Sequence, residues 1–250
     1  MSAETDARAA REALDPLLAA NAWRLPDGFA DAVERYVALL LDANARLNLT
    51  RVVAPDAVAR LHLLDALAAV PILDDLTPRR ALDLGTGGGV PGLVLALARP
   101  SIAWTLVDSV RKKADAVRDF AAELGLTNVD VVAERAELLG RDPAHREAYD
   151  LVAARACAAL PVLAEYALPL LGVNGSLLAW KGLIPPEELA DGAAAAALLG
   201  GGAPEVQSTG EAALGDHRFV LVRKQRPTPT RFPRRPGDPA RRPLPADPSA

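Results

Sequence analysis

The residues best suited to chemistry lie together in one glycine-rich segment, from Asp83 to Gly92. It reads Asp-Leu-Gly-Thr-Gly-Gly-Gly-Val-Pro-Gly and follows a short apolar run of the kind that forms a buried β-strand. Glycine lets a chain turn sharply after a strand and leaves no Cβ in the way of a bound molecule. The segment therefore predicts a ligand-binding loop at the end of a first strand.

The glycine spacing fits two kinds of cofactor. Counted from Gly87, the pattern is the G-x-G-x-x-G of dinucleotide-binding folds. Counted from Asp83, it is the D-x-G-x-G-x-G typical of S-adenosylmethionine (SAM) enzymes, with Gly85 and Gly87 as its first two glycines. Asp83 favours SAM, because a carboxylate there can interact with the cationic amino-acid end of SAM but would repel a pyrophosphate. Asp108, at the end of the next predicted strand, can accept both ribose hydroxyls of either cofactor.

Later predicted strands also end in polar residues. The run from Glu134 to Glu137 follows the third strand, at a position where an adenine ring commonly meets a carboxylate or a backbone carbonyl. Arg155 ends the fourth strand, and ligands of open α/β sheets bind at such strand ends. Cys157 has no histidine beside it in the sequence, so we expect a small buried residue rather than a nucleophile.

The elements that must position these residues fall into three regions. Residues 1–77 predict an N-terminal helical extension, with helices over 8–20, 27–45 and 56–70. Residues 78–223 alternate short apolar runs with helices, which predicts a Rossmann-like α/β core with a mostly parallel sheet. Its predicted strands cover 80–84, 103–107, 128–132, 150–154, 176–180 and 217–222. Residues 224–250 form a basic, proline-rich tail that we expect to be extended.

Composition excludes several classes of protein. The chain has 250 residues and a formal net charge of -4, and half of it is hydrophobic, enough for one core of ordinary size. No apolar run is long enough to span a bilayer, and the polar first residues do not resemble a secretory signal. One cysteine and three histidines without metal-ligand spacing predict neither a disulfide framework nor a metal site. We expect a cytoplasmic protein without a membrane segment, acting as a monomer.

The charge is unevenly distributed. The stretch from Lys224 to Pro248 holds seven basic and two acidic residues, so it carries +5 on an otherwise acidic chain. Clustered arginines neutralise phosphates, which makes a polyanionic partner one interpretation and a solvated tail the other.

Taken together, these motifs resemble one known family, the bacterial 16S ribosomal RNA guanine-N7 methyltransferases called RsmG or GidB. The resemblance covers nearly the whole chain. Its N-terminal part consists of Asn48-Leu49-Thr50, the segment from His62 to Leu67 and the glycine loop ending in Pro91-Gly92. The remaining motifs are Leu106-Val107-Asp108-Ser109 with Lys112-Lys113, Arg135-Ala136-Glu137, Arg155-Ala156, Trp180-Lys181-Gly182 and the tail from Arg231 to Pro239.

The resemblance implies a class I SAM-dependent methyltransferase that forms 7-methylguanosine in the 16S rRNA of the small ribosomal subunit. It implies cofactor contacts at Gly85, Val90, Ala136, Glu137 and Arg155, in addition to Asp83, Gly87 and Asp108. Arg155 and Lys181 are then the candidates for holding the target base or its phosphates. Two residues depart from the family, Ala66 where serine is usual and Gly88 where alanine or proline often stands.

Two other functions stay open at this point. The second glycine register would suit an NAD-dependent oxidoreductase, although no Tyr-x-x-x-Lys pair is present to serve hydride transfer. A non-catalytic RNA-binding assembly factor could also retain this fold. His62 and Asp65 form either a polar pair supporting the site or a helix-packing contact, and residues 185–202 match the family least, so we place no site there.

Overall fold

A computed structural model of the protein describes residues 2–155 and 157–245. Ala156, which belongs to the Arg155-Ala156 motif, and the last five residues of the predicted tail lie outside the described residues. The α-helices are α1 (Ala3–Ala19), α2 (Phe29–Leu47), α3 (Pro55–Val58), α4 (Asp65–Leu67), α5 (Val70–Leu76), α6 (Gly92–Ala98), α7 (Arg111–Glu123), α8 (Ala136–Leu139), α9 (Leu160–Ala167), α10 (Pro186–Leu198) and α11 (Asp238–Arg241). The strands are β1 (Arg80–Leu84), β2 (Ala103–Val107), β3 (Val129–Val132), β4 (Tyr149–Arg155), β5 (Leu171–Lys181), β6 (Glu205–Ser208) and β7 (Arg218–Arg223).

The chain divides into two compact units. The N unit comprises the described residues of 1–79, 86–133 and 209–215, and the C unit those of 80–85, 134–208 and 216–250. The two units are defined by packing, so their bounds differ from those of the three predicted regions, 1–77, 78–223 and 224–250. The division into those three regions stays a prediction.

The N unit holds the N-terminal helices and one pair of strands. Helices α1 and α2 pack together through apolar residues spaced three and four apart, as in an amphipathic helix pair. In α2 the buried face consists of Phe29, Val33, Tyr36, Val37, Leu40 and Ala43. Strands β2 and β3 pair in parallel, with Trp104 opposite Val129 and Val107 opposite Val132.

The C unit holds the other five strands, in the order β1-β4-β5-β7-β6. β1, β4 and β5 are parallel, so their carboxyl ends meet at one edge, whereas β7 runs antiparallel to β5 and to β6. Leu82, Val152 and Leu177 are fully buried and form the apolar centre of this unit. Mostly parallel strands alternating with helices confirm the predicted α/β class.

Several local predictions were wrong. The single helix expected over 56–70 is α3, then a π-helical stretch from Ala59 to Leu64, then α4. Pro71 lies in the first turn of α5 instead of ending the preceding helix, because a proline at that position gives up no helical hydrogen bond. Strand β6 was not predicted, and its four residues are all exposed, so no apolar alternation marks it. The tail contains the short helix α11.

No helix among the described residues has both the length and the hydropathy needed to cross a membrane.

Lys224, at the start of the tail, is completely buried in the C unit. Its Nζ donates hydrogen bonds to the Leu168 carbonyl and to Thr228 Oγ1, and lies 3.6 Å from a carboxylate oxygen of Glu147. Burial lowers the pKa of Lys224 from 10.5 to about 8, because the lost hydration of the ammonium outweighs its attraction to Glu147.

This lowered pKa makes stability depend on pH. Between pH 8 and 10 the unfolded chain binds more protons at Lys224 than the folded chain does, so this residue's contribution to the free energy of unfolding rises with pH. We expect the difference in that free energy between wild type and Lys224→Met to increase by up to about 1.4 kcal/mol per pH unit. Urea unfolding of both proteins at several pH values measures it, and a difference independent of pH would contradict the burial argument.

Candidate active site

In the N unit, the glycine loop is bound to the end of β2. The backbone N–H of Thr86 donates to the carbonyl of Val107 at 2.9 Å, and the N–H of Val90 donates to the Thr86 carbonyl at 3.2 Å. Gly87 and Gly89 have φ angles of +59° and +100°, which residues with a side chain rarely adopt. The loop can therefore turn into α6 only because glycine occupies both positions.

Asp108 holds this loop through its carboxylate. One oxygen accepts the backbone N–H of Gly87 at 3.1 Å, and the other accepts the N–H of Val110 at 2.8 Å. Asp108 therefore fixes the glycine loop and the start of α7 within the N unit. A carboxylate offers about four acceptor positions, so two remain for the ribose hydroxyls that we expect Asp108 to bind.

The second helix supports the loop from its other side. The hydroxyl of Tyr36 donates to the Gly88 carbonyl at 2.9 Å, and both groups are buried. A Cβ on Gly88 would lie 2.7 Å from Leu40 Cδ1, closer than carbon atoms approach. This contact explains why glycine stands here in place of the alanine or proline often found in the family.

In the C unit, the carboxyl end of β1 carries Asp83 and Gly85. Asp83 is fully buried and lies in register with Ala153 of β4. Gly85 has a φ of +75°, and a Cβ there would lie 2.5 Å from the Sγ of Cys157. The thiol of Cys157 donates to the Leu84 carbonyl at 2.7 Å. Cys157 is exposed, so the expectation of a buried cysteine was wrong: it lies on the loop after β4 and not within the strand.

Arg155 and Lys181 end the adjacent parallel strands β4 and β5. Arg155 is in register with Trp180, so Lys181 is one residue further along the neighbouring strand. The Nζ of Lys181 donates to the carbonyl of Ala158 and to the carboxylate of Glu188, both at 2.8 Å. Lys181 thus ties the loop after β4 to helix α10.

Glu188 lies in 185–202, where the sequence predicted no site. Its carboxylate also accepts the backbone N–H of Leu160, the first residue of α9, at 2.9 Å. Burial raises the pKa of Glu188, but the hydrogen bonds from Lys181 and Leu160 lower it by more, so the net shift is downward. The only signal in the sequence was an acidic residue in the first turn after Pro185-Pro186, which equally describes an ordinary helix start.

The turn after β3 is helix α8, which begins with Ala136 and Glu137. Glu137 is 2% exposed, and its carboxylate accepts hydrogen bonds from Arg135 Nη2 at 2.9 Å and from the backbone N–H of Gly237 at 2.7 Å. Burial raises the pKa of Glu137, but these two hydrogen bonds lower it further than burial raises it. The Glu137 side chain is thus held by Arg135 and by the backbone of Gly237.

His62 and Asp65 are both buried in the N unit. The Nε2 of His62 lies 2.8 Å from Thr50 Oγ1, and Asn44 Oδ1 accepts the backbone N–H of Thr50 at 2.8 Å. This contact joins the Asn48-Leu49-Thr50 motif to the π-helical stretch, and both interpretations of His62 and Asp65 stay predictions.

These groups suit SAM chemically. Within the described residues, the buried hydroxyl oxygen of Thr86 has no hydrogen-bond partner, which leaves a polar group of the glycine loop for a ligand. The carboxylate of Asp83 suits an ammonium group and would repel a pyrophosphate. The carboxylate of Asp108 suits the ribose hydroxyls of either cofactor. The chemistry of the set fits SAM better than a dinucleotide.

Two solved structures have a similar fold. The chain superposes on the SAM-dependent methyltransferase SibL with a TM-score of 0.54 at 19% identity, over 80% of this chain and 70% of that one. It superposes on a SAM-dependent O-methyltransferase from Thermotoga maritima with a TM-score of 0.52 at 14% identity, over 76% of this chain and 72% of that one. These likenesses show that the chain has the fold of class I SAM-dependent methyltransferases.

Sequence comparison identifies the family. The family model described as GidB, rRNA small subunit methyltransferase G, matches residues 30–217. The ribosomal RNA small subunit methyltransferase G of Deinococcus radiodurans is 48% identical over 84% of this chain and 83% of its own length. The protein of the same name from Symbiobacterium thermophilum is 41% identical over 96% of this chain and all of its own length. The chain belongs to the rRNA small subunit methyltransferase G family.

This membership confirms the family resemblance seen in the sequence. It also confirms that the cofactor is SAM. It favours the methyltransferase over the NAD-dependent oxidoreductase and over the non-catalytic assembly factor.

Replacing Asp108 tests the organisation of the loop. In Asp108→Asn the amide nitrogen must face the N–H of either Gly87 or Val110, and the acceptors for the ribose are reduced. We expect the Kd for SAM to rise about 10- to 100-fold, because the variant loses one or two hydrogen bonds to a charged acceptor. Calorimetric titration with SAM measures it, with Asp115→Asn, an exposed carboxylate of α7, as the control that keeps normal affinity. An unaltered Kd in Asp108→Asn would exclude this role.

Proposed function

We propose that this protein transfers the methyl group of SAM to N7 of one guanine in 16S ribosomal RNA. The observation that carries the proposal is the family match over residues 30–217, which includes the glycine loop and Asp108. We further propose that it acts as a monomer in the cytoplasm, where small ribosomal subunits are available to it.

The choice of atom fits the residues of the site. Guanine N7 has an in-plane lone pair and carries no proton, so its methylation requires alignment and no general base. Bound SAM supplies an electrophilic methyl group on a sulfonium. The protein's task is then to bind and orient two partners and to keep water away from them.

The cofactor contacts are proposed residue by residue. In the N unit we assign Gly87 and Val90 to the cofactor by their backbone, and Asp108 to the ribose hydroxyls. In the C unit, Asp83 and Gly85 are assigned to the amino-acid end. The remaining C-unit contacts are assigned to Arg155, and to Ala136 and Glu137 through their backbone.

Arg155 and Lys181 are assigned to the RNA. Arg155, at the carboxyl end of β4, would hold the target base or its phosphate by hydrogen bonds from the guanidinium. Lys181, through its bond to the Ala158 carbonyl, would also hold the loop after β4 in place for that contact. Because N7 lies on the Hoogsteen edge, which the narrow major groove of A-form RNA hides, the target must be unpaired or extruded.

The activity can be tested directly. The protein is incubated with methyl-labelled SAM and small ribosomal subunits that lack the modification, and the RNA is then cleaved at 7-methylguanosine by reduction and aniline. We expect one labelled cleavage site, which names the base. Labelled RNA that is not cleaved would show methyl transfer to the RNA and would exclude N7 as the methylated atom. Absence of label on subunits and on protein-free RNA would contradict the proposal.

The tail is assigned in part to RNA binding. Arg241 and Arg242 are exposed, and Arg241 shares only a surface ion pair with Asp238, which is worth little. We expect the double substitution of both arginines by alanine to weaken binding to 16S RNA and to lower its salt dependence by about two phosphate contacts. The N-terminal helices are expected to contribute further contacts.

Filter binding at several salt concentrations measures this effect, and substitution of both arginines by lysine is the control that preserves the charge. If the alanine variant binds RNA as wild type does, these two arginines have no such role.

A further inference from the structure

The tail is held firmly against the C unit over residues 228–244, a segment that we call the C-terminal strap. Thr228, Phe232, Pro233, Pro239 and Leu244 are buried, whereas Arg231, Arg235, Arg241 and Arg242 are exposed. One segment therefore combines apolar anchors with charged residues that face solvent.

The strap carries the partner of a buried charge. Glu165 on α9 is completely buried, and its carboxylate accepts the backbone N–H of Arg234 at 2.7 Å. The guanidinium of Arg234 adds hydrogen bonds from Nε at 2.9 and 3.0 Å and from Nη2 at 2.5 Å. A carboxylate buried this deeply needs such a partner, because removal of one member of a buried ion pair leaves an uncompensated buried charge. This arginine is thus a structural anchor rather than a free cation for RNA.

The same strap encloses α8, the turn that begins with Ala136 and Glu137. At the start of α8, the backbone N–H of Gly237 binds the Glu137 carboxylate at 2.7 Å. At its end, a Cβ on Gly140 would lie 2.9 Å from the ring of Pro233, so the strap packs directly on that glycine.

A guanidinium joins the strap to the end of α8 a second time. Arg146 Nη1 donates to the carbonyl of Gly140 at 2.7 Å and to the carbonyl of Phe232 at 2.9 Å. In addition, Arg141 Nη2 donates to the carbonyl of Arg231 at 3.2 Å. Helix α8 is only four residues long, too short to be stable by its own hydrogen bonds, so these contacts set its position.

We propose that the C-terminal strap is a positioning element of the cofactor site, which acts through α8. Arg234 and Gly237 are positioning residues: the first fixes the strap to α9, and the second fixes Glu137, so that the backbone of Ala136 and Glu137 stands where SAM can use it. The inference rests on the proposed function in one respect, the assignment of this turn to SAM. The arginines of the strap then have two roles: Arg234 anchors the strap, whereas the exposed arginines are available to RNA.

The test compares two neighbouring arginines in the full-length protein. Arg234→Ala removes the guanidinium from Glu165, whereas Arg235→Ala removes an exposed guanidinium of the same size one residue away. Two quantities are measured for each: the Kd for SAM by calorimetry, and the hydrogen exchange of amides 136–141 without SAM. We expect Arg234→Ala to raise the Kd about tenfold or more and to accelerate exchange in α8, Arg234→Lys to lie between it and wild type, and Arg235→Ala to change neither.

A second variant covers a failure of Arg234→Ala to fold. Gly140 has an ordinary φ of −66°, so Gly140→Ala introduces no backbone strain and acts only by displacing its neighbours, chiefly Pro233. We expect the same weaker SAM binding and faster exchange in α8. A folded Arg234→Ala or Gly140→Ala protein with wild-type SAM affinity would overturn the proposal, even if its melting temperature fell.

The design also separates this inference from the proposed function. If wild type bound SAM but did not methylate 16S RNA, the proposed substrate would fail while the strap measurements kept their meaning. If wild-type exchange in α8 were as fast as in Arg234→Ala, the strap proposal would fail while the methyltransferase stood.

Discussion

One carboxylate links the glycine loop of the N unit to the end of β2. Asp108 accepts the N–H groups of Gly87 and Val110, so the glycine loop and the start of α7 have a fixed position relative to β2. The loop cannot supply that rigidity itself, because its glycines carry the positive φ angles that make the turn possible and also make the free chain flexible. Tyr36 and Leu40 of α2 contact the loop at Gly88 from its other side, so the N-terminal helices help to fix its position.

The C unit solves a comparable problem with long-range ion pairs and hydrogen bonds. Its turns after β3 and β4 are short and irregular, and each is held by a group from a distant part of the chain. Glu188 and Lys181 bridge α9, α10 and the loop after β4, while Gly237 and Arg146 hold α8. The backbone of these two turns is thus fixed by charged side chains and hydrogen bonds from other elements instead of by long helices.

What the sequence could predict follows from the range of the interactions. The bounds of β1 and β2 agree with the prediction, because a short apolar run between turn residues is a local signal. The glycine loop and Asp108 could be recognised because their residues are close in sequence and the family motif is dense. Arg234 and Glu165 are 69 residues apart, and Gly237 and Glu137 are 100 apart. No local pattern in the sequence indicates that the members of either pair meet. Charge, proline content and the family motif therefore could not distinguish the anchoring Arg234 from the exposed arginines of the tail.

The position of the strap has a consequence for the synthesis of the protein. Glu165 is translated 69 residues before Arg234, so a growing chain contains the acidic partner of a buried pair for some time before its counterpart exists. Until then the carboxylate must stay hydrated or protonated, and α9 cannot reach its final packing. The C unit therefore cannot complete the packing of α9 until the strap has been synthesised, although every motif of the glycine loop is already present in the growing chain.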